Sequence, residues 1–234
     1  MKFSKFLNQL QTKDNFQLLE SVYRGYQLLN ESVNYPNGFT IDEFSSLPSY
    51  AARTRYAQSK LTKLGKGSAR TVYQIDDDTV LKIAHNKKGL AQNAIESDWS
   101  MHNYYGNLLP DLIETDDDNN MWLIKQRANK IKKSEFKQMT GHTFEEFSQT
   151  LRARADEVNN VRNKMPYPDG VDIEEEYFDD EFFNDVMSLI GNYDLEAGDM
   201  QQLANWGKVK DNEDPILTDV GLTRSVYKEH YGGR

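Results

Sequence analysis

Lys82 is the residue whose setting most demands a chemical explanation. It stands at the middle of Val80-Leu-Lys-Ile-Ala84, an apolar run with the character of a β-strand, where an ammonium group without a counter-charge costs several kcal/mol. Side chains alternate in direction along a strand, so Leu81 and Ile83 face away from Lys82. The lysine therefore lies on an exposed edge or meets an anion. Glu96 and Asp98, on the helical stretch that follows, are the two carboxylates placed to meet it. Upstream, Gly65-Lys66-Gly67 separates two β-like segments. Glycines there serve an ordinary hairpin, or let backbone N–H groups approach a polyphosphate with no Cβ in the way. Far downstream, Asp219-Val-Gly221 follows the apolar strand Pro215-Ile-Leu-Thr218, a position from which a carboxylate can hold a divalent metal bridging phosphates. Between them Gly198-Asp-Met-Gln-Gln-Leu-Ala-Asn-Trp-Gly207 carries Asp199, able to orient or deprotonate a nucleophile, and Asn205, whose amide oxygen can meet a metal. Taken singly, such residues serve equally well as caps and turns.

The elements that must position these residues follow from periodicity. Apolar residues at helical spacing predict helices over Phe3 to Leu10 and Phe16 to Leu29, and a third over Ile41 to Gln58 with a break near Pro48. Three β-like segments come next, about Lys60 to Leu64, Arg70 to Ile75 and Thr79 to Ala84. The short polar link Asp76-Asp-Asp78 makes the last two an antiparallel hairpin. A helix is expected from Lys88 through roughly Tyr104, with Ala91, Ile95, Trp99 and His102 toward one side. Leu112 to Glu114 and Met121 to Lys125 flank an acidic loop and read as a second hairpin. Beyond Arg127 the pattern is helical: Ser134 to Met139, then Thr143 to Val158, where Thr143 with Glu146 has the form of a capping box. Asn163 to Gly170, with two prolines and a glycine, is expected as a loop. Asp172 to Ile190 is expected as a long amphipathic helix, its carboxylates forming a solvated face. Trp206 to Lys210 and Pro215 to Thr218 are β-like, and a short helix closes the chain.

Composition removes whole classes of chemistry. Cysteine is absent, which excludes disulfides, thiol catalysis and cysteine-ligated zinc. The four histidines, His85, His102, His142 and His230, show no metal-ligand spacing. A formal net charge of −9 argues against non-specific binding to nucleic acid or anionic membrane, which needs an excess of lysine and arginine. No apolar run approaches the roughly 18 residues of a membrane span, and none behind Lys2 suits a secretory signal. A cytoplasmic protein is expected. The glycine turn is not a Walker loop, since no Gly-Lys-Ser/Thr tripeptide opens a helix.

The order of the candidate residues carries further information. Glycine loop, strand lysine, helix glutamate, apolar hairpin, helices, Asp and Asn loop, then strand plus Asp-Val-Gly is the order of the protein-kinase signature set. Over about Leu64 to Leu222 the chain resembles the protein-kinase-like superfamily, in particular the compact kinase-like proteins of bacterial viruses. That resemblance implies an α+β, two-lobed fold. Its parts would be a helical N-terminal extension over 1–58, a five-stranded antiparallel N-lobe sheet with one helix over 59–128, and a reduced, mostly helical C-lobe over 129–234. It implies ATP and Mg²⁺ as cofactors and, if the source is viral, the host cytoplasm as location.

By the resemblance, Gly65, Lys66, Gly67, Ser68, Arg70 and Val72 line the ATP phosphates. Lys82 contacts them while held by Glu96, and adenine meets the chain near Gln126 to Ala128. Asp199 is the base, with Asn205 and Asp219 as metal ligands. Departures are visible as well. Arg70 stands at the third loop glycine and could itself meet a phosphate. No His-Arg precedes Asp199, Asn205 lies one residue beyond the usual spacing, and Val220 replaces the phenylalanine of Asp-Phe-Gly. Thirteen residues follow Gly221, which leaves no room for the helices that bind a peptide substrate and leads us to expect a minimal lobe pair. Two functions are consistent with this pattern. One is an ATP- and Mg²⁺-dependent phosphotransferase acting on a protein, a small molecule or itself, or transferring the nucleotide instead. The other is a catalytically inactive pseudokinase, a nucleotide-binding or structural module whose N-terminal helices dock a protein partner.

Overall fold

The computed structural model describes residues 33–36, 38–158, 180–210 and 212–232. The helices expected within residues 3–29, the loop expected over 163–170 and the first part of the helix expected from Asp172 lie outside the described residues.

The fold is α+β. Alternating and apolar runs form strands β1 (Thr62–Lys66), β2 (Arg70–Gln74), β3 (Thr79–Ala84), β4 (Leu112–Thr115) and β5 (Trp122–Gln126). They make one antiparallel sheet in the order β1-β2-β3-β5-β4. Two short helices precede it, α1 (Ile41–Ser46) and α2 (Tyr50–Lys60). They part at Leu47-Pro48, where proline disfavours helical backbone before it, and Ser49 caps the second by accepting from the Ala52 N–H at 3.2 Å.

Helix α3 (Lys87–Glu96) follows β3, and α4 (Trp99–Tyr104) follows it. The single helix expected from Lys88 to Tyr104 is thus two, because Asp98 leaves the helix and accepts from the Ser100 N–H at 2.8 Å to begin the second. The buried side also differs from expectation. The inward stripe of α3 is Gly89, Gln92, Asn93 and Glu96, spaced at 3, 4 and 7 as a helix face requires. Trp99 is 41% exposed. This stripe is polar because the sheet face beneath it is charged.

Beyond the sheet come β6 (Asn129–Lys130), α5 (Lys133–Thr140), α6 (Phe144–Val158), α7 (Glu181–Tyr193), α8 (Ala197–Met200), β7 (Trp206–Lys208), β8 (Ile216–Leu217) and α9 (Arg224–His230). Strands β6, β7 and β8 form a small antiparallel sheet. Thr143 and Glu146 make the expected reciprocal cap. Asp180 accepts from the Phe183 N–H at 2.7 Å to start α7, whose Phe182, Phe183, Val186, Leu189 and Ile190 are buried.

Among the described residues there are two apolar cores. One covers a face of the large sheet, where Tyr73, Leu81, Ile83, Trp122 and Ile124 pack with Phe39, Phe44, Ala57 and Leu61. The helices of residues 41–60 are therefore integral to the sheet rather than appended to it. The second core joins α5, α6 and α7 with Trp206, Leu217 and Val220, and it also takes Met101, Tyr105, Leu108 and Leu109 from the segment after α3. Among the described residues, no helix is long and apolar enough to cross a membrane.

Candidate functional site

The register of three strands creates the site. Arg70 pairs with Ala84, two residues from Lys82 on β3. Lys82 pairs with Leu123, two residues from Lys125 on β5. Paired residues share a face and so do residues two apart. Arg70, Lys82 and Lys125 consequently form a diagonal row of cations on the sheet face opposite the apolar core.

All three are buried, at 5%, 6% and 1% exposure, and all three meet one carboxylate, Glu96, itself at 0%. Lys82 Nζ donates to Glu96 Oε1 at 2.6 Å, and Lys125 Nζ donates to the same oxygen at 2.5 Å. Arg70 donates through one terminal nitrogen to Glu96 Oε2. Burial alone would raise the Glu96 carboxyl, but Arg70, then Lys125 and Lys82, hold it well below the usual carboxylate range. Burial acts the other way on Lys125, pulling its ammonium down to about 8 against the attraction of Glu96, with Lys82 adding repulsion. Glu96, not Asp98, is the partner of Lys82. The sequence gives no cue to Lys125, which ends an apolar strand and joins the cluster only through cross-strand register.

The other donors of Lys82 and Arg70 reach across to the far end of the chain. Lys82 Nζ donates to the Thr218 carbonyl at 2.8 Å. Arg70 donates through its second terminal nitrogen to Asp219 Oδ1. Burial would raise the Asp219 carboxyl, but Arg70 and then Lys82 keep it below its ordinary value, although its side chain is 40% exposed. The Arg70 guanidinium, lowered by burial but raised more by Asp219 and Glu96, is firmly cationic. Arg70 thus points inward between two carboxylates and away from the glycine turn, a direction that sequence alone could not give.

Asn205 ties the remaining candidates to this junction. Its side-chain amide donates through Nδ2 to the Asp199 backbone carbonyl at 2.8 Å, while its backbone carbonyl accepts from the Thr218 N–H at 2.8 Å and the Thr218 hydroxyl at 3.0 Å. Asp199 itself is pushed up to about 6 by burial and by the neighbouring charges of Asp219 and Glu196. The structure therefore brings Lys82, Glu96, Asp219, Asn205 and Asp199 to one place from positions more than a hundred residues apart.

Helix α3 is fixed by its close contacts. A Cβ on Gly89 would lie 2.3 Å from the Ala69 carbonyl oxygen, and one on Gly221 would lie 2.7 Å from the Gln92 carbonyl oxygen. The helix is thus wedged between the glycine turn and the Asp219 segment. Asn93 accepts from Arg70 at 3.3 Å and donates to the Asn120 carbonyl at 2.9 Å. His102, pulled down to about 4 by burial and by Lys125, sets its ring between the Glu96 and Pro110 carbonyl oxygens at 2.9 and 2.8 Å.

The glycine turn is otherwise open. Lys66, Gly67 and Ser68 are exposed, a Cβ on Gly65 would meet nothing within 4 Å, and one on Gly67 would meet the Arg70 carbonyl oxygen at 3.8 Å. Neither glycine is required by a positive φ. Ser68 is tied to the start of α3, accepting from Asn86 at 2.9 Å and from Lys88 at 2.8 Å. Val72 faces the same side as its strand partner Lys82. At the end of β5, the Gln126 and Arg127 N–H groups are already bonded to the Asp111 and Asp78 carbonyls at 2.8 and 2.7 Å. The Gln126 side-chain oxygen accepts from the Asp111 N–H at 3.4 Å.

The residues expected to hold Mg²⁺ are Asp219 and Asn205. Asp219 Oδ1 accepts from Arg70 and from the Gly221 N–H at 3.5 Å, and Asn205 donates through Nδ2 to the Asp199 backbone carbonyl, so the bonds use neither Asp219 Oδ2 nor Asn205 Oδ1. Among the described residues, no three His, Asp or Glu side chains gather as a metal site. Mg²⁺ in a nucleotide site takes one or two protein oxygens and fills its shell with phosphate and water oxygens; here Arg70 holds one oxygen of the partly exposed Asp219 carboxylate. No family model matches the sequence, and a search of curated proteins finds no match.

Proposed function

We propose that the junction binds the polyphosphate of ATP and that the protein is an ATP-dependent phosphotransferase with a two-lobed, kinase-like arrangement. The observation that carries this reading is the cation row: three buried cations bonded directly to two carboxylates, Glu96 and Asp219. Lysine and arginine groups gathered in a place of low dielectric offer charge-assisted donors to an anion. Lys82 uses two of its three N–H groups on Glu96 and Thr218, and the third is the donor assigned to phosphate. The open turn Gly65 to Ser68 lets backbone N–H groups approach the same ligand.

In the transfer step an acceptor hydroxyl attacks the γ-phosphorus, the bond to the bridging oxygen breaks, and ADP departs with its electron pair. Asp199 takes the hydroxyl proton. At about 6 its pKa lets it be ionised at neutral pH while remaining a competent base. Positioning and cationic stabilisation of the transferring group supply the acceleration. A second reading, binding without transfer, is favoured by the grip of Arg70 on Asp219.

The test pairs ligand-induced stabilisation with turnover. ATP at a hundredfold above its Kd is expected to raise Tm by roughly 5–10 °C, and Lys82→Met should abolish that shift. Asp199→Asn should keep the shift and lose phosphoryl transfer, with wild-type transfer rising through pH about 6. No Tm shift with ATP in the wild type would end the reading; a shift without transfer would leave the binding module.

A further inference from the structure

We infer that the C-terminal helix α9 positions the glycine turn: Tyr231 holds Lys88, Lys88 holds Ser68, and the affinity of the site for a polyphosphate depends on that relay of contacts. The inference rests on the polyphosphate reading of the junction and adds two positioning residues to it, Lys88 and Tyr231. The Lys88 ammonium donates to Ser68 Oγ at 2.8 Å and lies 4.1 Å from the centre of the Tyr231 ring. One turn farther along α3, Gln92 Nε2 donates to the Tyr231 hydroxyl at 3.5 Å.

Lys88, Gln92 and Glu96 follow one another at four-residue spacing, on one side of α3. The segment after β8 runs along that side. Asp219 meets Arg70, which also holds Glu96. Gly221 abuts the Gln92 backbone, and Tyr231 reaches both Gln92 and Lys88. At its start α9 is fixed to the end of α7, where Arg224 donates from its backbone N–H to the Asp194 carbonyl at 2.9 Å and from Nε to Asp194 Oδ1 at 2.6 Å. Tyr227 stacks on Tyr231, with ring centres 5.5 Å apart and planes 6° from parallel, so the ring that faces Lys88 is itself oriented. A cation over an aromatic face is attracted by the ring quadrupole. A lysine side chain otherwise samples many rotamers. Held over Tyr231, Lys88 keeps Ser68 and the exposed turn Lys66 to Ser68 in one place before a phosphate arrives, and less ordering is left for binding to supply.

The experiment is titration calorimetry of the full chain with ATP in the presence of Mg²⁺. Tyr231→Ala should weaken ATP by about 3–10-fold, although it removes no charge. Tyr231→Phe keeps the ring beside Lys88 and should stay within about twofold of the wild type. Lys88→Met should weaken ATP as Tyr231→Ala does, and the double variant should lie within about twofold of either single, because the two act through one another. Circular dichroism confirms that each variant is folded. If Tyr231→Ala fails to fold, the cycle of Ser68→Ala with Lys88→Met decides: coupled losses support the relay, and additive ones overturn it. Wild-type affinity in Tyr231→Ala, or losses that add in the double variant, overturns the inference and leaves the polyphosphate reading standing. A loss in Tyr231→Phe equal to that in Tyr231→Ala assigns the effect to the hydroxyl bond with Gln92 and overturns the role of Lys88. A wild type that does not bind ATP overturns both readings.

Discussion

The two faces of the five-stranded sheet are made by the same strands and obey opposite physics. On one face Tyr73, Leu81, Ile83, Trp122 and Ile124 lie against Phe39, Phe44 and Ala57. On the other, Arg70, Lys82 and Lys125 converge on Glu96. Burial of apolar area is additive and tolerant of shape, at about 25 cal/mol per Å². Burial of charge is all-or-none, because each ion loses several kcal/mol of hydration and recovers it only with a partner in place. The apolar face thus holds the sheet and its covering helices together. The charged face contributes little net stability and instead fixes where α3 and the Asp219 segment must sit.

The largest effect should come from breaking the charged face at its fully buried anion, Glu96. Glu96→Gln leaves three buried cations sharing one partly exposed carboxylate, and is expected to cost roughly 3–5 kcal/mol and to abolish ATP binding. Ile83→Ala, on the opposite face of the same strand, should cost about 2–5 kcal/mol while ATP affinity stays unchanged. Urea denaturation and calorimetry of both variants separate the two faces. A Glu96→Gln protein that keeps its affinity, or an Ile83→Ala protein that loses it while folded, would show that the faces are not independent.

The difference between the faces also explains what could be read from the chain. Alternation around Lys82 marked it as a buried or edge lysine, and the following helix offered Glu96. Both are local features, as are the Asp76-Asp-Asp78 hairpin and the Thr143 cap. The sheet's α+β character and its strands were legible for the same reason. Lys125 and the inward turn of Arg70 were not, because their directions depend on which residues pair across β2, β3 and β5. The inner stripe of α3 misled for a related cause: Gly89, Gln92, Asn93 and Glu96 are not an apolar face, so hydrophobic periodicity pointed to Ala91 and Ile95. The break at Asp98 had a local cue, since aspartate is a favoured N-cap, but it competed with a continuous helical pattern.

A smaller effect tests the strength of the cation row by pH. Burial lowers the Lys125 ammonium from its ordinary 10.5 to about 8. Between those values the unfolded chain holds the proton and the folded one has released it, so stability rises with pH across that window. Below about 8 both states are protonated and the folded protein carries the full penalty of the buried charge. The gain is on the order of 1–3 kcal/mol. Lys125→Met should raise stability at pH 7.5, or leave it unchanged, and remove the rise toward pH 10. The readout is the difference between wild type and variant in urea midpoints at the two pH values, which cancels the tyrosines and other lysines. An identical pH profile in both proteins would mean that Lys125 keeps its ordinary affinity for protons.

The smallest change in stability should come from the glycine turn, where the two ends of the site diverge. Gly65→Ala places its Cβ in open space, so stability should move by no more than about 0.5 kcal/mol. Gly89→Ala drives a Cβ to 2.3 Å from the Ala69 carbonyl oxygen. Neither that backbone nor α3 can yield without shifting Glu96, so a loss of roughly 1–3 kcal/mol is expected, as for other overpacked positions. ATP affinity then discriminates the causes. On the proposed polyphosphate reading, Gly65→Ala should weaken ATP by a factor of about 3–10 with the fold intact, because the methyl would occupy the space through which a phosphate would approach the backbone. If its affinity matches the wild type's, the ligand does not pass over β1, and the phosphate contacts reduce to the cations on the sheet.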